Sequence, residues 1–552
     1  MIKLLEKRPI LTIISLVALL IFPILDILEV SIMEARNFIS AREMLVDSNW
    51  VLTTMSGEAR YQKPPLPTWL TAISASVFGL KNIWGLRLPA ALMVMLLGSM
   101  VFTLSRKLKL SKNQSLGNGL IAVTSLYVVL IIFEAPWDIY AHAFMLTGIY
   151  FLVKILNAER NSILNTICAS LFIGCSILSK GPVALYVLLL PFILSYIAIY
   201  RKNASSKTWS LSILSIVLGL FIGFSWYLYV RYADPATFSR MAENETGNWT
   251  SYNVRPFYYY WSFFVQSGVW TLPAFISLIY PYLKSRVSDL KAYQFTWLWT
   301  ILAVVLLSII PEKKSRYLMP ILIPLAINCG FYVDYLMRKF NGLRDRKETI
   351  PVYFNFGLLG TVFLLLSVAG IVSPFILEGV SWWLLPLSII LIFISVILLR
   401  SLIKKNFEYV FMFSLCALII SLFCFTQVQK FEIPWQETSI NNNSSNTVAT
   451  FEAFESKEKL PIYIFDVKSP EMIWASGRIL PQIYDDKAVL LPPEDKFYLL
   501  VFEIEFSEVS KTLQGYETEY QFTIDLNKVP KTSRNYTGRK RAEVFKVEKL
   551  DR

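Results

Sequence analysis

The hydrophobic residues of this chain are grouped into long runs that are separated by short polar connections. Most runs have about 17–25 apolar residues, the length that an α-helix needs to cross the hydrocarbon core of a bilayer. The pattern therefore predicts an α-helical polytopic membrane protein with about thirteen spans. They lie near residues 9–28, 86–105, 117–134, 139–156, 162–178, 182–200, 209–230, 262–282, 294–310, 317–337, 351–373, 382–400 and 408–427.

The connection between the first two strong spans, residues 31–85, is much longer than the other early connections. Apolar positions recur with helical spacing in EARNFISAREMLVDSNW (34–50) and again in PLPTWLTAISASVFGL (65–80). Both segments are expected to lie flat at the membrane surface as juxtamembrane helices. Between them, the prolines of KPPLP prevent helix formation and fix Lys63 on an extended turn.

The pattern changes beyond residue 430, where short alternating segments replace the long apolar runs. We therefore predict a membrane domain over residues 1–430 and a small soluble α/β domain over residues 431–552, joined through the polar stretch NNNSSN (441–446). The second domain shows no catalytic motif. Its predicted strands are 461–467, 496–505, 520–526 and 542–550, and its predicted helices are 470–479 and 507–515.

Composition agrees with a membrane protein, since 55% of the 552 residues are hydrophobic. The net charge of +13 could suggest nucleic acid, but the basic residues gather in alternate connections, as the positive-inside rule requires. This places the N-terminus in the cytoplasm, puts the C-terminal domain on the outer side, and makes a nucleic-acid partner unnecessary. All five cysteines lie inside apolar runs, so we expect neither a disulfide framework nor a thiolate metal site.

Several cations break this rule because they fall on the outer side of the predicted topology. Snorkelling at a helix end or pairing with lipid phosphates could explain any one of them. As a set they favour convergence on one anionic group, and a cation about 4 Å from a phosphate oxygen is worth about 4 kcal/mol at an effective dielectric near 20. The outer cations are Arg36, Lys63, Lys180, Arg255, Lys313, Lys314 and Arg316.

The motifs that hold these cations resemble those of a known enzyme family. They are E-A-R…R-Y-x-K-P-P-L-P-T-W (34–69), PWD (136–138), SKGPVAL (179–185), RPFYYY (255–260) and KKSRYLMPILIP (313–324). Together, and in this order, they resemble the protein mannosyltransferase-like glycosyltransferases with the GT-C fold. Within that family, the motifs resemble those of the bacterial aminoarabinose transferases that modify lipid A. The resemblance covers about residues 1–430.

The resemblance implies an enzyme of the bacterial inner membrane that moves a sugar from a polyprenyl-phosphate carrier to a periplasmic acceptor with inversion. The acceptor would be lipid A, another glycolipid or a protein. Asp138 and Lys180 match a buried pair near the sugar, although Asp138 could instead cap a helix. The resemblance assigns Arg36, Lys63, Arg255 and Tyr317 to the carrier phosphate. The outer cations Lys313, Lys314 and Arg316 are expected to bind the same phosphate, and Arg60 and Gln62 lie on the first-loop shelf beside Lys63.

This chain departs from the family at its acidic and metal-binding positions. Relatives usually carry an Asp-Glu pair where this chain has Met33 and Glu34, which leaves Glu34 as the acid–base candidate if the acceptor is a hydroxyl. Gln62 and Asn253 occupy positions expected to help hold a divalent metal. Both are neutral, weak ligands, so tight metal binding is not favoured. His142, the single histidine, is interpreted as a polar core partner.

Two readings from other classes compete with the enzyme. A transporter or flippase for an anionic lipid-linked sugar would use the same cations as a headgroup site, but it should show charges in mid-span and an inverted repeat. A structural membrane protein would leave the outer cations and the long first loop unexplained. Within the enzyme class, protein O-glycosylation stays open beside glycolipid modification. We expect a monomer in contact with membrane lipids.

Overall fold

The computed structural model divides the chain into two compact units. The first comprises Met1–Leu28 and Tyr61–Phe431, and the second comprises Glu29–Arg60 and Glu432–Arg552. The predicted linker NNNSSN lies outside the described residues. The structure describes residues 7–201, 204–377, 380–428, 460–465, 469–485, 488–502, 509, 513–527, 529 and 531–550.

Helices form almost all of the first unit. In chain order the helices up to residue 428 are α1 (Pro9–Ile21), α2 (Ile32–Val46), α3 (Leu66–Phe78), α4 (Ile83–Lys107), α5 (Lys112–Thr124), α6 (Leu126–Glu134), α7 (Pro136–Leu156), α8 (Ser162–Lys180), α9 (Leu190–Tyr200), α10 (Ser206–Ala233), α11 (Pro235–Ser251), α12 (Thr271–Leu278), α13 (Tyr280–Leu283), α14 (Leu290–Ile309), α15 (Leu322–Lys339), α16 (Arg346–Ile376), α17 (Leu384–Ile403) and α18 (Phe407–Val428). Of these, α2 alone belongs to the second unit.

The polytopic membrane fold predicted from the sequence is confirmed. Within the described residues, nine helices are long and apolar enough to cross a membrane, or ten if the bent pair α5 and α6 forms one span. The first and sixth predicted spans are shorter apolar helices, Pro9–Ile24 and Leu185–Tyr200. The estimate of about thirteen spans therefore counted some segments that do not form one long helix.

The predicted span over residues 262–282 is wrong as a single helix. The chain there forms a 3₁₀ segment (Phe263–Trp270), then the short helices α12 and α13. Gly268 has a φ of +64°, inside the left-handed region, and this ends the helical path. A Cβ at that position would stand 2.7 Å from Cβ of Leu126, so the turn also needs glycine for space. Hydropathy alone could not reveal this bend.

A second bend brings the chain to the start of α7. The helices α5 and α6 meet at 41°, because Ser125 between them is extended (ψ 128°). Its hydroxyl donates to the carbonyl of Ile121 at 2.8 Å, and Trp270 Nε1 donates to Thr124 Oγ1 at 2.9 Å. After α6, Pro136 occupies the first position of α7, where its missing N–H costs no hydrogen bond.

Close glycine contacts hold α8 against α10. A Cβ on Gly174 would lie 2.5 Å from Cγ2 of Ile222, and one on Gly219 would lie 2.7 Å from Cγ2 of Ile173. Small residues at such crossings let two membrane helices approach closely and gain van der Waals contact. This packing holds α8, and therefore the position of its last residue, Lys180.

The second unit contains the predicted α/β domain. Its main sheet has the strand order β3 (Ile462–Ile464), β6 (Lys496–Phe502), β8 (Arg541–Lys549) and β7 (Tyr516–Asp525). Strands β3 and β6 are parallel, and the other neighbours are antiparallel. The predicted strands and the predicted helix near 470–479 agree with it, whereas helix 507–515 falls largely outside the described residues. The elements are β1 (Thr54–Met55), β2 (Glu58–Ala59), β3 (Ile462–Ile464), α19 (Pro470–Ser476), β4 (Tyr484–Asp485), β5 (Ala488–Val489), β6 (Lys496–Phe502), β7 (Tyr516–Asp525) and β8 (Arg541–Lys549).

Helix α2 packs inside this unit. The rings of Phe38 and Trp474 lie 5.2 Å apart, and Ile39 is fully buried in one core with residues of the main sheet. Arg42 Nη2 donates to the carbonyl of Arg478 at 2.9 Å. The amphipathic helix predicted from the sequence is therefore present, but protein rather than a membrane surface covers these apolar side chains. Its periodicity identifies the apolar face and not what covers that face.

Candidate active site

Asp138 and Lys180 form a buried ion pair in the first unit. Asp138 lies in the first turn of α7, and Lys180 is the last residue of α8, just before Gly181 turns the chain with a φ of +82°. The Lys180 amine donates to Asp138 Oδ1, and the two side chains are only 8% and 2% exposed. The N-cap of α7 is Ala135, so Asp138 does not have the capping role that the sequence left open.

Tyr317 lies beside this pair and is surrounded by further cations. Its ring centroid is 4.9 Å from the amine of Lys180, 5.7 Å from that of Lys314 and 5.8 Å from the guanidinium carbon of Arg316. Three cations thus approach one aromatic ring, whose negative faces favour positive charge. Of the predicted site residues, the structure brings together these four and Asp138.

Glu312 holds part of this cluster in place, although sequence analysis did not select it. Its Oε1 accepts from the amine of Lys314 at 2.6 Å and from the hydroxyl of Tyr317 at 3.2 Å. Glu312 is largely buried, so its charge is held close to these partners. The signal was available, because Glu312 is the acidic residue within the basic motif PEKKSRY.

The motifs RPFYYY and PEKKSRY lie side by side. Val254 and Glu312 form an antiparallel bridge, and the N–H of Arg255 donates to the carbonyl of Pro311 at 3.2 Å. The buried hydroxyl of Tyr260 accepts from the N–H of Lys314 at 2.9 Å and donates to its carbonyl at 3.1 Å. Burial raises the pKa of Tyr260, which keeps this phenol neutral and able to donate.

The remaining cations of the first unit have different surroundings. Lys313 is buried, and its amine donates to the carbonyl of Ile310 just past the end of α14. Burial lowers the pKa of Lys313, because removing an ammonium from water disfavours its charged form. The side chain of Arg255 is exposed, and Lys63 is half-buried in the turn that precedes α3.

The two positions considered for a metal, Gln62 and Asn253, are both exposed. Asn253 adopts a left-handed backbone conformation with a φ of +51°. Within the described ranges, no group of three or more His, Cys, Asp or Glu side chains could hold a metal ion. His142 is buried one turn after Asp138, with its Nε2 3.9 Å from Asp138 Oδ1. That the chain binds a divalent metal weakly or not at all stays a prediction.

The other predicted site residues, Glu34, Arg36 and Arg60, belong to the second unit. Glu34 is fully buried and completes a capping box at the start of α2: its carboxylate accepts from the N–H of Ser31 at 2.9 Å. Arg36 is half-buried on the same helix. Arg60 directly follows the hairpin of β1 and β2, where its N–H donates to the carbonyl of Thr53 at 2.8 Å.

Known proteins resemble this chain in both sequence and fold. Residues 62–227 match the family described as dolichyl-phosphate-mannose-protein mannosyltransferase. The undecaprenyl phosphate-alpha-4-amino-4-deoxy-L-arabinose arabinosyl transferase 1 of Pseudomonas fluorescens is 25% identical over 309 residues, 54% of this chain and 54% of the relative. The corresponding transferase of an Enterobacter species is 26% identical over 57% of this chain and 58% of its own. The chain thus spans a little over half the length of these relatives.

The fold extends the likeness to nearly the whole chain. The crystal structure of ArnT from Cupriavidus metallidurans bound to undecaprenyl phosphate superposes with a TM-score of 0.70 at 16% identity, covering 97% of each chain. This chain therefore has the same fold as ArnT. The GT-C resemblance inferred from its motifs is thereby confirmed. The stretch matched to the mannosyltransferase family includes Lys63, Asp138 and Lys180.

Proposed function

We propose that the chain is an integral membrane glycosyltransferase that moves a sugar from a polyprenyl-phosphate carrier to an acceptor, with inversion at the anomeric carbon. One observation carries this proposal: the Asp138–Lys180 pair stands beside Tyr317 together with two further cations, Lys314 and Arg316. A cluster of this kind, at the ends of membrane helices, suits a phosphate whose negative charge increases as its bond to the sugar breaks.

The transfer needs one bond to form while another breaks. The acceptor oxygen attacks the anomeric carbon, the bond from that carbon to the phosphate oxygen breaks, and the electron pair stays on the carrier phosphate. Lys314, Arg316 and the ammonium of Lys180, which Asp138 holds in a fixed position, are then placed to neutralise it. A hydroxyl acceptor must also lose a proton, for which Glu34 is the candidate base. A phosphate acceptor, already ionised, needs no base.

The relatives suggest the substrate class. Because the relatives described above are named as undecaprenyl phosphate aminoarabinose transferases, we propose an undecaprenyl-phosphate-linked aminosugar as donor and lipid A or another glycolipid as acceptor. The match to a protein mannosyltransferase family keeps a protein acceptor as the second candidate. In either case the enzyme would lie in a bacterial inner membrane, with a cytoplasmic N-terminus and a periplasmic C-terminal domain.

The transporter reading has less support. A transporter that carries an anionic lipid headgroup is expected to hold charges near the middle of its spans. Here Asp138 lies in the first turn of α7 and Lys180 is the last residue of α8, so both charges sit at helix ends. A site at that level suits a carrier headgroup that stays at the membrane surface during transfer.

The proposal can be tested in cells by deleting the gene and complementing it with variants. Mass spectrometry of envelope glycolipids and glycoproteins from a strain that lacks the gene should show one class without a sugar mass. Complementation with Asp138→Asn should fail to restore that mass. Lys107→Gln, which removes another lysine–carboxylate pair (2.7 Å to Glu159), is the matched control and should restore it. Unchanged glycolipids and glycoproteins in the deletion strain would refute the proposal.

A further inference from the structure

A cavity of about 580 Å³ opens at the end of the first unit's helices that is remote from the candidate active site. Residues from the last turns of α15 and α17 and from the first turn of α18 line it. Helix α15 begins at Leu322, soon after Tyr317, and Met337 is its first residue to line the cavity. At 1.5 Å per residue, about 22 Å of helix separates the two places.

The cavity lies where the chain leaves the membrane. Helices α17 and α18 both qualify as membrane spans, and residues 404–406 connect them, so this connection must emerge from the hydrocarbon. Ile397 lines the cavity and is 38% exposed, and Ile403, the last residue of α17, is 74% exposed. Exposed aliphatic side chains at the end of a span face lipid, so one side of the cavity is open to the membrane.

The other side of the cavity is basic. Arg400, Lys404 and Lys405 line it, against the single acidic lining residue Glu408. The amine of Lys405 donates to the carbonyl of Leu343, which fixes that side chain. Arg400 and Lys404 are exposed, and within the described part of the chain neither forms an ion pair. Two cations are thus available to an anion that enters the cavity.

We propose that this cavity binds the phosphodiester headgroup of an anionic glycerophospholipid. An Arg guanidinium can hold two phosphate oxygens at once, and a Lys amine adds a second charge. Basic pockets between membrane helices on the cytoplasmic side suit such headgroups, and the volume lies within the range of small-molecule sites. The aliphatic side favours a lipid over a water-soluble phosphate, because it can receive the first carbons of the acyl chains.

Native mass spectrometry of the full-length protein tests this directly. Wild-type protein would be titrated with phosphatidylglycerol and, in parallel, with zwitterionic phosphatidylcholine, and bound lipid would be counted. The double variant Arg400→Gln/Lys404→Gln removes the two available cations. The matched control Arg344→Gln/Lys347→Gln removes two exposed cations that do not line the cavity, one just before α16 and one in its first turn.

We expect wild type and control to prefer phosphatidylglycerol, and the cavity variant to bind it about thirtyfold more weakly, from about fivefold for each cation. Asn341→Trp keeps every charge but fills the space, since Asn341 lines the cavity, and it should also lose the preference. Equal weakening in both double variants would overturn the proposal, because it would reveal only a general surface field. Displacement of the lipid by millimolar inorganic phosphate would overturn it in favour of a soluble anion.

The binding readout is independent of sugar transfer. Its failure would leave the proposed glycosyltransferase untouched, and an inactive enzyme could still bind lipid here. As a folding control, the double variant should keep the wild-type melting temperature in phosphatidylcholine. If the double variant melts at a lower temperature than wild type, Asn341→Trp becomes the deciding test. An unchanged lipid preference in Asn341→Trp would then refute the site.

Discussion

Replacing Lys180 by methionine tests whether the buried ion pair acts in the reaction or only in the fold. The change keeps an unbranched side chain but removes the charge that faces Asp138. Because the side chain of Asp138 is 2% exposed, the carboxylate would be left without a counter-ion in a low-dielectric site. Such a loss costs about 3–5 kcal/mol of stability, and about 0.5–2 kcal/mol more for the contact with the ring of Tyr317.

Transfer should fall further than stability alone explains. A cation about 4 Å from the leaving phosphate is worth about 4 kcal/mol at an effective dielectric near 20, which corresponds to a loss of about 10³ in rate. The double variant Lys180→Met/Asp138→Leu separates the two effects. Replacing a buried pair by apolar residues is often neutral for stability, so it should melt near wild type and yet stay inactive.

Two measurements check this, the thermal midpoint in detergent and the rate of sugar transfer from a polyprenyl-phosphate donor. Wild-type transfer in the stable double variant would refute a role for the pair in the reaction. A single Lys180→Met variant as stable as wild type would refute the physical premise, since it would mean that water or another group compensates Asp138.

Substitutions of three further residues, Tyr317, Glu34 and Asp234, test the roles of their side chains. Tyr317→Phe keeps the ring that faces the cations and should retain most transfer, whereas Tyr317→Leu should lose at least tenfold more; equal losses would contradict a role for the ring. Glu34→Gln can still complete the capping box but cannot take a proton, so with a hydroxyl acceptor it should be as inactive as Glu34→Ala. Ser31→Ala is the control for the capping box, because it should cost only about 1 kcal/mol of stability. If Glu34→Gln transfers like wild type and Glu34→Ala behaves like Ser31→Ala, the carboxylate of Glu34 acts only in capping. The pKa of Asp234 is lowered, chiefly by its hydrogen bond with Thr237. The carboxylate therefore stabilises the fold fully above the ordinary pKa of 3.8, and this stabilisation is lost as the pH falls below that value. Asp234→Asn should weaken the fall of the melting temperature at acid pH, and an unchanged pH dependence would contradict the assignment.

The pairing of Asp138 with Lys180 follows from features that the sequence does contain. Two consecutive spans joined by a short connection form an antiparallel hairpin, so the start of α7 and the end of α8 must lie on the same side. A carboxylate at one of these positions and an amine at the other are then neighbours. The resemblance supplied the same pair independently.

Other parts of the site depend on backbone geometry that hydropathy does not encode. Lys313, Lys314 and Arg316 look equivalent in the sequence, but the extended bridge to residues 253–255 turns the amine of Lys313 toward the carbonyl of Ile310. Lys314 and Arg316 face Tyr317 instead. The number of cations in the motif could not distinguish these roles. It also gave no indication that Glu312 accepts hydrogen bonds from Lys314 and Tyr317.

The helices of the fold likewise separate into those that hydropathy predicts and those that depend on backbone geometry. Long uninterrupted runs such as α4, α7 and α8 were predicted well, because a span of sufficient length has few alternatives in a membrane. Segment 262–282 failed because one left-handed residue, Gly268, ends a helix within an apolar run.

The second unit is assembled from two pieces of chain, Glu29–Arg60 and Glu432–Arg552, with residues 61–431 between them. During synthesis, Phe38 and Ile39 leave the ribosome long before Trp474, the sheet core and β8 exist to cover them. A premature stop near residue 430 would therefore do more than remove a tail. It would also leave the apolar side chains of α2, the helix that carries Glu34 and Arg36, exposed. Quality-control proteases should therefore recognise the truncated product even when every span has inserted.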